Sequence, residues 1–167
     1  MPCAAARKTS LPLAPRQGSV IEAGQPLNVY VADADRQAVR SVMDMLAEDV
    51  AQVFGTSPTY QPAANAAQSI IAGIVSNEKF AGLLKANGID FSQLVGKWET
   101  FSLVETGGRL WVLGSDQRGL QYGLLEVSRA AGVSPWSWWA DLTPRQRERL
   151  EFSDLPLETR GPSVKYR

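Results

Sequence analysis

The sequence contains no histidine. That absence removes Ser-His-Asp and Cys-His catalytic arrangements and every metal site that needs imidazole. It contains one cysteine, Cys3, so no internal disulfide can form, and the plain reading is a free thiol in an N-terminal tail. It lacks an excess of either charge: 17 Lys and Arg balance 17 Asp and Glu, and no long run of one sign occurs. Neither nucleic acid nor an anionic membrane is therefore favoured as a partner. It also lacks an apolar stretch near the roughly 20 residues that span a bilayer. The Ala-, Pro- and Arg/Lys-rich start, Met1 to Gly18, has no apolar core of a secretory signal. The expectation is a cytoplasmic protein or one whose leader lies outside this sequence, and the compartment stays open.

What remains is ordinary globular material: 44% hydrophobic and 20% charged residues over 167 positions, enough for one domain with a core. Leu27 to Val31 alternates apolar and polar side chains and predicts a strand. Asp33 or Asp35 can then cap a helix from about Arg36 to Phe54, whose stripe is Val39, Val42, Met43, Leu46, Val50 and Val53. Gly55 is a natural stop. Thr56 to Tyr60 predicts a short strand, and Pro62 to Gln68 a small-residue loop. Ser69 to Val75 is a continuous apolar run, as expected of a strand covered on both faces. Asn77 can cap a second helix carrying Phe80, Leu83 and Leu84 and ending at Gly88. Trp98 to Val104 and Arg109 to Leu113 predict two strands around a Gly107-Gly108 hairpin turn. A third helix, Gln117 to Ala131, buries Leu120, Leu124, Val127 and Ala131 and ends at Gly132.

The order β-α-β-β-α-β-β-α predicts an α/β (α+β) domain, a mixed sheet with about three packed helices, over residues 19–154. Residues 1–18 read as a disordered tail. Pro144 to Arg149 predicts a helical turn, and Leu155 to Pro162, with prolines and a glycine, reads as a linker. Val164-Lys165-Tyr166-Arg167 begins to read as a further strand.

Three segments carry a resemblance. Gly114-Ser115-Asp116-Gln117-Arg118-Gly119 with Tyr122-Gly123 is similar to G-S-D-K/R-R-G-x-x-Y-G. Gly132 to Asp141 is similar to G-V-S-P-W-Y-W-W-A-D, differing only at Ser137. Pro162 to Arg167 is similar to P-x-V-K-Y-R, and Gly96-Lys97-Trp98-Glu99 matches a weaker G-K-W-E element. In order and spacing these resemble the N-terminal accessory domain of glycoside hydrolase family 115, the xylan α-glucuronidases. There are departures: Ile74-Val75-Ser76-Asn77 replaces a Gly/Thr/Ser-rich turn, and Gln117 stands where a basic residue is common.

The resemblance implies a fold like the N-terminal domains of α-glucuronidases and hexosaminidases. It implies a parent that removes glucuronic acid, or its 4-O-methyl ether, from xylan, and that is often secreted or periplasmic. The catalytic carboxylates would sit on a (β/α)8 barrel that follows the V-K-Y-R segment. Residues 155–167 are then linker and barrel start, the missing barrel is the chief partner, and xylan oligosaccharide is a further one. No cofactor or metal is implied. Glycoside hydrolysis generally needs two carboxyl groups flanking the bond, so the chain alone is expected to be inactive. Were it active, Asp116, Glu99 and Asp141 would be the first carboxylates to examine.

The individual residues admit plainer readings as well. The turn at Ser115, Asp116 and Arg118 leads into a helix N-terminus and suits an anion such as a uronate. Equally, Ser115 or Asp116 can cap the helix while Gly119 allows close packing on the sheet. Trp136, Trp138 and Trp139 can fill a seam with a barrel, join the core, or stack on a sugar; the seam is the favoured reading. Arg118 and Asp141 can form an ion pair or face the missing domain. A stand-alone carbohydrate- or small-anion-binding module is the alternative function.

Overall fold

The computed structural model describes residues 18–65, 69–140 and 142–164. Apart from Gly18, the tail expected over 1–18 lies outside the described residues, as do residues 66–68, 141 and 165–167. Strands β1 (Ser19–Glu22) and β2 (Leu27–Val31) lead into a helical turn α1 (Asp33–Arg36), helix α2 (Arg40–Phe54), β3 (Pro58–Gln61) and β4 (Ile70–Ile74). Helix α3 (Glu78–Ala86), the hairpin of β5 (Phe101–Thr106) and β6 (Arg109–Gly114), and helix α4 (Gln117–Ala130) follow. The chain closes with the short helix α5 (Ser137–Ala140), β7 (Arg149–Glu151) and β8 (Thr159–Arg160).

The main sheet runs β3-β2-β4-β6-β5-β8. Its first four strands are parallel, β5 is antiparallel to β6, and β8 is antiparallel to β5. The fold is therefore α/β with a mixed sheet. Three helices exceed two turns, and α1 and α5 are single turns.

Helices cover both faces of this sheet. On one face α2 and α4 pack Leu46, Val50, Val53, Leu120, Leu124 and Val127 over Val29, Ile70, Leu103 and Val112. On the other, α3 packs Phe80 and Leu84 over Ile71, Trp111 and Leu113. Alternate residues of β6 thus enter opposite cores, which is why the whole strand is buried. Phe80 lies so near Gly73 that an added Cβ would stand 2.6 Å from its ring. The Gly107-Gly108 turn has φ of +66° and +71°, the left-handed pair that a two-residue hairpin needs. Asn77 caps α3 by accepting the Lys79 and Phe80 amides at 3.1 and 3.4 Å.

Four expectations are corrected. The long first helix is broken: α1 ends at Arg36 and α2 begins at Arg40. Tertiary hydrogen bonds hold the break open. The Ala38 carbonyl accepts from Gln117 and Gln121 of α4 at 2.9 and 3.0 Å. The Asp35 carboxylate accepts the Ile74 amide at 2.9 Å, and Arg36 donates to the Gln61 carbonyl at 2.8 Å. Trp98 to Thr100 lies outside β5, because the ladder starts at Phe101 opposite Gly114. Pro144 to Arg149 is not helical; its end joins β7, which pairs with β1 and buries Ile21 and Leu150. Arg147 anchors that stretch, donating to the Ala130 carbonyl and to Asp154, each at 2.8 Å. Within 155–162, read as linker, Thr159–Arg160 forms β8 on the sheet edge.

Tyr60 offers a check on the packing of β3 against α2. Its hydroxyl donates to the Met43 carbonyl at 2.8 Å. Burial, with a smaller contribution from the Asp44 charge, pushes its pKa up from 10.0 to about 12. The folded form thus keeps a proton that the unfolded chain loses between these values. Stability is expected to be level below pH 10 and to fall as pH rises toward 12. Comparing tyrosinate absorbance titrations of the wild type and Tyr60→Phe isolates this group. A Tyr60 step near pH 10 in folded protein would mean the ring is not packed as described.

Candidate functional site

Chemistry-bearing residues gather at the carboxyl edge of the parallel strands, where ligands of open α/β sheets commonly sit. The hairpin brings them there. Its register places Phe101 opposite Gly114, so Thr100 and Glu99 continue outward beside Ser115 and Asp116. The Ser115 amide donates to the Thr100 carbonyl at 2.8 Å, and the Thr100 amide donates back to Ser115 Oγ at 3.0 Å. Asp116 is the N-cap of α4: Oδ1 accepts the Gly119 amide and Oδ2 the Glu99 amide, both at 2.8 Å. Gly119 is buried against the Thr100 carbonyl.

In this geometry Asp116 is the cap of the helix. Asp116 has both oxygens engaged with backbone N–H groups and occupies the place an anion would take at the helix start. Gln117, the departure from a basic residue, donates to the Ala38 carbonyl and so helps tie α4 to the break before α2.

Glu99 is the residue that sequence reasoning undervalued. It is the one non-glycine with positive φ among the described residues, at 47°, in a region that L-residues seldom adopt. Its side chain is only 2% exposed. Oε1 accepts from Arg118 at 2.6 Å, while Oε2 is buried with no hydrogen-bond partner among the described residues. Arg118 is 66% exposed. The hydrogen bond to Glu99 and the Glu99 charge raise its pKa, holding the guanidinium protonated. Arg118 is thus engaged with Glu99, while Asp141, its other suggested partner, lies outside the described residues. A signal for this pairing existed: counting outward from the Gly107-Gly108 turn puts Glu99 across from Asp116, two residues before Arg118.

The tryptophan segment forms the single turn α5. Ser134 Oγ accepts the Trp136 amide at 3.2 Å, and Ser137 donates to the Ser134 carbonyl at 2.7 Å. Serine at 137 therefore closes the turn with a hydrogen bond where the resembling family carries an aromatic. Trp136 is 67% and Trp139 86% exposed. They are not core residues. The Trp138 side chain lies outside what is described.

A cavity of about 760 Å3 opens between α2, α4, the start of α5 and the 160–162 segment. Glu99, Phe101, Tyr122, Ser128, Arg129, Trp139 and Arg160 are among its walls. Among the described residues, no three of His, Cys, Asp and Glu are grouped to hold a metal ion. No helix among them is long and apolar enough to cross a membrane.

No protein-family model matches the chain, and no curated protein matches it. A solved structure does: that of a family GH115 4-O-methyl-α-glucuronidase with specificity for decorated arabinogalactans. The TM-score is 0.77 and the sequences are 36% identical over 87% of this chain. The same match spans only 19% of that chain, so the present protein corresponds to about a fifth of its neighbour. Identity at that level over most of the chain, joined to the shared fold, makes this chain similar to part of a family GH115 glycoside hydrolase.

Proposed function

We propose that this chain is the N-terminal, non-catalytic domain of a glycosidase that removes glucuronic acid or its 4-O-methyl ether from a plant polysaccharide. The observation that carries the reading is the 36% identity over 87% of this chain against 19% of the neighbour. Site chemistry supports the non-catalytic part. Of the three carboxylates first in question, Asp116 is consumed as a helix cap and Glu99 is bound by Arg118. Neither is placed as one of two free carboxyl groups flanking a glycosidic oxygen. Trp136 and Trp139 supply exposed aromatic area for a seam with a (β/α)8 barrel. The polymer is glucuronoxylan in this proposal; the neighbour's preference makes decorated arabinogalactan the substrate to compare with it.

The test is uronic acid release from 4-O-methylglucuronoxylan and from glucuronic-acid-decorated arabinogalactan. The 167-residue chain is expected to release none from either. A version extended through several hundred further residues of the reading frame is expected to be active. Release by the short chain, or a reading frame with no barrel-sized region beyond it, would overturn the proposal.

The second reading, a stand-alone carbohydrate-binding module, is favoured by the exposure of Trp136 and Trp139. Affinity electrophoresis in glucuronoxylan separates the two, since unchanged mobility removes the stand-alone module. The small-anion version is weakened by Asp116, whose carboxylate already fills the start of α4.

A further inference from the structure

We propose that Asn87 is a self-modification site, at which opening of the last turn of α3 lets the Gly88 amide nitrogen convert the asparagine to aspartate or isoaspartate. Of the four asparagines in the sequence, only Asn87 precedes a glycine. A residue without a Cβ leaves its own nitrogen open to approach the preceding side chain. In the step, the Gly88 nitrogen attacks Asn87 Cγ. An N–C bond forms, the Cγ–Nδ2 bond breaks, and Nδ2 leaves as ammonia with the proton that the Gly88 nitrogen gives up. Water then opens the cyclic imide at either carbonyl. One opening gives aspartate; the other gives isoaspartate, whose backbone runs through Cγ and is longer by a carbon. The balance needs only this chain and water.

The closed turn holds the reacting groups away from that step. Gly88 has φ of +70°, and the Gly88 and Ile89 amides donate to the Lys85 and Leu84 carbonyls at 3.2 and 3.0 Å. This is the left-handed glycine close of a helix, in which the last amides turn back onto the final carbonyls. The attacking nitrogen is thus engaged with Lys85. The leaving amide is held too, since Asn87 Nδ2 donates to the Leu83 carbonyl at 2.8 Å. With ψ of 9° at Asn87, the Gly88 nitrogen lies toward the Asn87 backbone nitrogen rather than its side chain. Reaction therefore needs the turn to open. The turn is placed to do so, because it ends a helix of only 9 residues and Lys85 and Gly88 are exposed.

The product cannot restore what the amide held. An ionised carboxylate accepts only. At position 87 it faces the Leu83 carbonyl with no proton to share, and it sets a negative charge at the negative end of the helix. Isoaspartate also displaces the residues that follow. Ile89 is 6% exposed and belongs with Phe80, Leu84 and Leu94 to the core beneath α3. A longer backbone just before Ile89 shifts that anchor. The lost ammonia does not return, so α3 loosens from the sheet in one direction as the molecule ages.

The experiment incubates the 167-residue chain at mildly alkaline pH, in buffer and in denaturing urea, and follows each asparagine by peptide mass spectrometry. Asn87 is expected to convert in both, ahead of Asn28, Asn65 and Asn77. Its rate in urea is expected to be at least about tenfold higher, because the folded rate follows the fraction of turns that are open. Asn87→Asp stands in for one product, and hydrogen exchange at the Ile89 amide is expected to be about tenfold faster in it. The rate comparison uses the wild type alone, so it holds even if Asn87→Asp fails to fold. The proposal is overturned if folded Asn87 stays intact after the urea sample has fully converted. It is equally overturned by matching rates in buffer and urea, or by wild-type exchange at Ile89 in a folded Asn87→Asp protein.

Discussion

Replacing Gly119 with alanine is expected to destabilise the fold by about 3 kcal/mol or more, although alanine is the better helix former. Gly119 lies in the first turn of α4, and its φ is not the reason for glycine there. Close approach is the reason. A Cβ at this position would collide with the carbonyl oxygen and backbone of Thr100. Thr100 cannot move aside cheaply, because it exchanges two hydrogen bonds with Ser115 at 2.8 and 3.0 Å. Gly82 in α3 is the control: a Cβ there meets nothing within 4 Å. Gly82→Ala is expected to stabilise by about 0.4–1 kcal/mol. Urea unfolding of both variants checks the pair. A Gly119→Ala protein as stable as the wild type would show that α4 does not press on the 99–100 segment as described.

Replacing Asp116 with alanine is the second large effect, expected to lower stability by about 2–3 kcal/mol. Two backbone donors lose their acceptor at once, the Gly119 amide in α4 and the Glu99 amide in the neighbouring segment. Asp116→Asn keeps an oxygen for one of them, and its loss is expected to be about half as large. Asp116 and Gly119 belong to one clasp, so a double variant should fall short of the sum of the two single effects. Chemical denaturation of the four proteins measures that coupling. An Asp116→Ala protein with nearly unchanged stability would sink the capping role.

The local features needed nothing beyond neighbouring residues to be read. β2 and β4 differ in pattern, alternating and continuous, because one carries half-buried side chains and the other is buried on nearly every residue. Asn77 as cap and Gly107-Gly108 as turn follow from the chemistry of short side chains and left-handed backbone. Glu99 was quoted for its motif but not linked to Arg118. The pairing spans 19 positions, yet hairpin register makes it countable.

Other features have no local signature. β1 pairs with β7 more than a hundred residues later, and a three-residue strand such as Arg149–Glu151 is too short to show a period. The break between α1 and α2 runs against a helical stripe, because Gln117 and Gln121 draw on the Ala38 carbonyl from another helix. Three tryptophans in four positions favour a seam but also admit core or sugar platform; only their placement outside both cores exposes Trp136 and Trp139.

The sequence by itself therefore determined the main helices, the central strands and their caps, since each depends on periodicity or on contacts within a few residues. Tertiary structure alone decided that Asp116 is a cap, that Glu99 is buried with one oxygen unmet, and that a cavity lies beside it. Those properties belong to groups that become neighbours only when α4 is pressed onto the end of the hairpin, where burial turns an ordinary surface carboxylate into an acceptor in want of a donor.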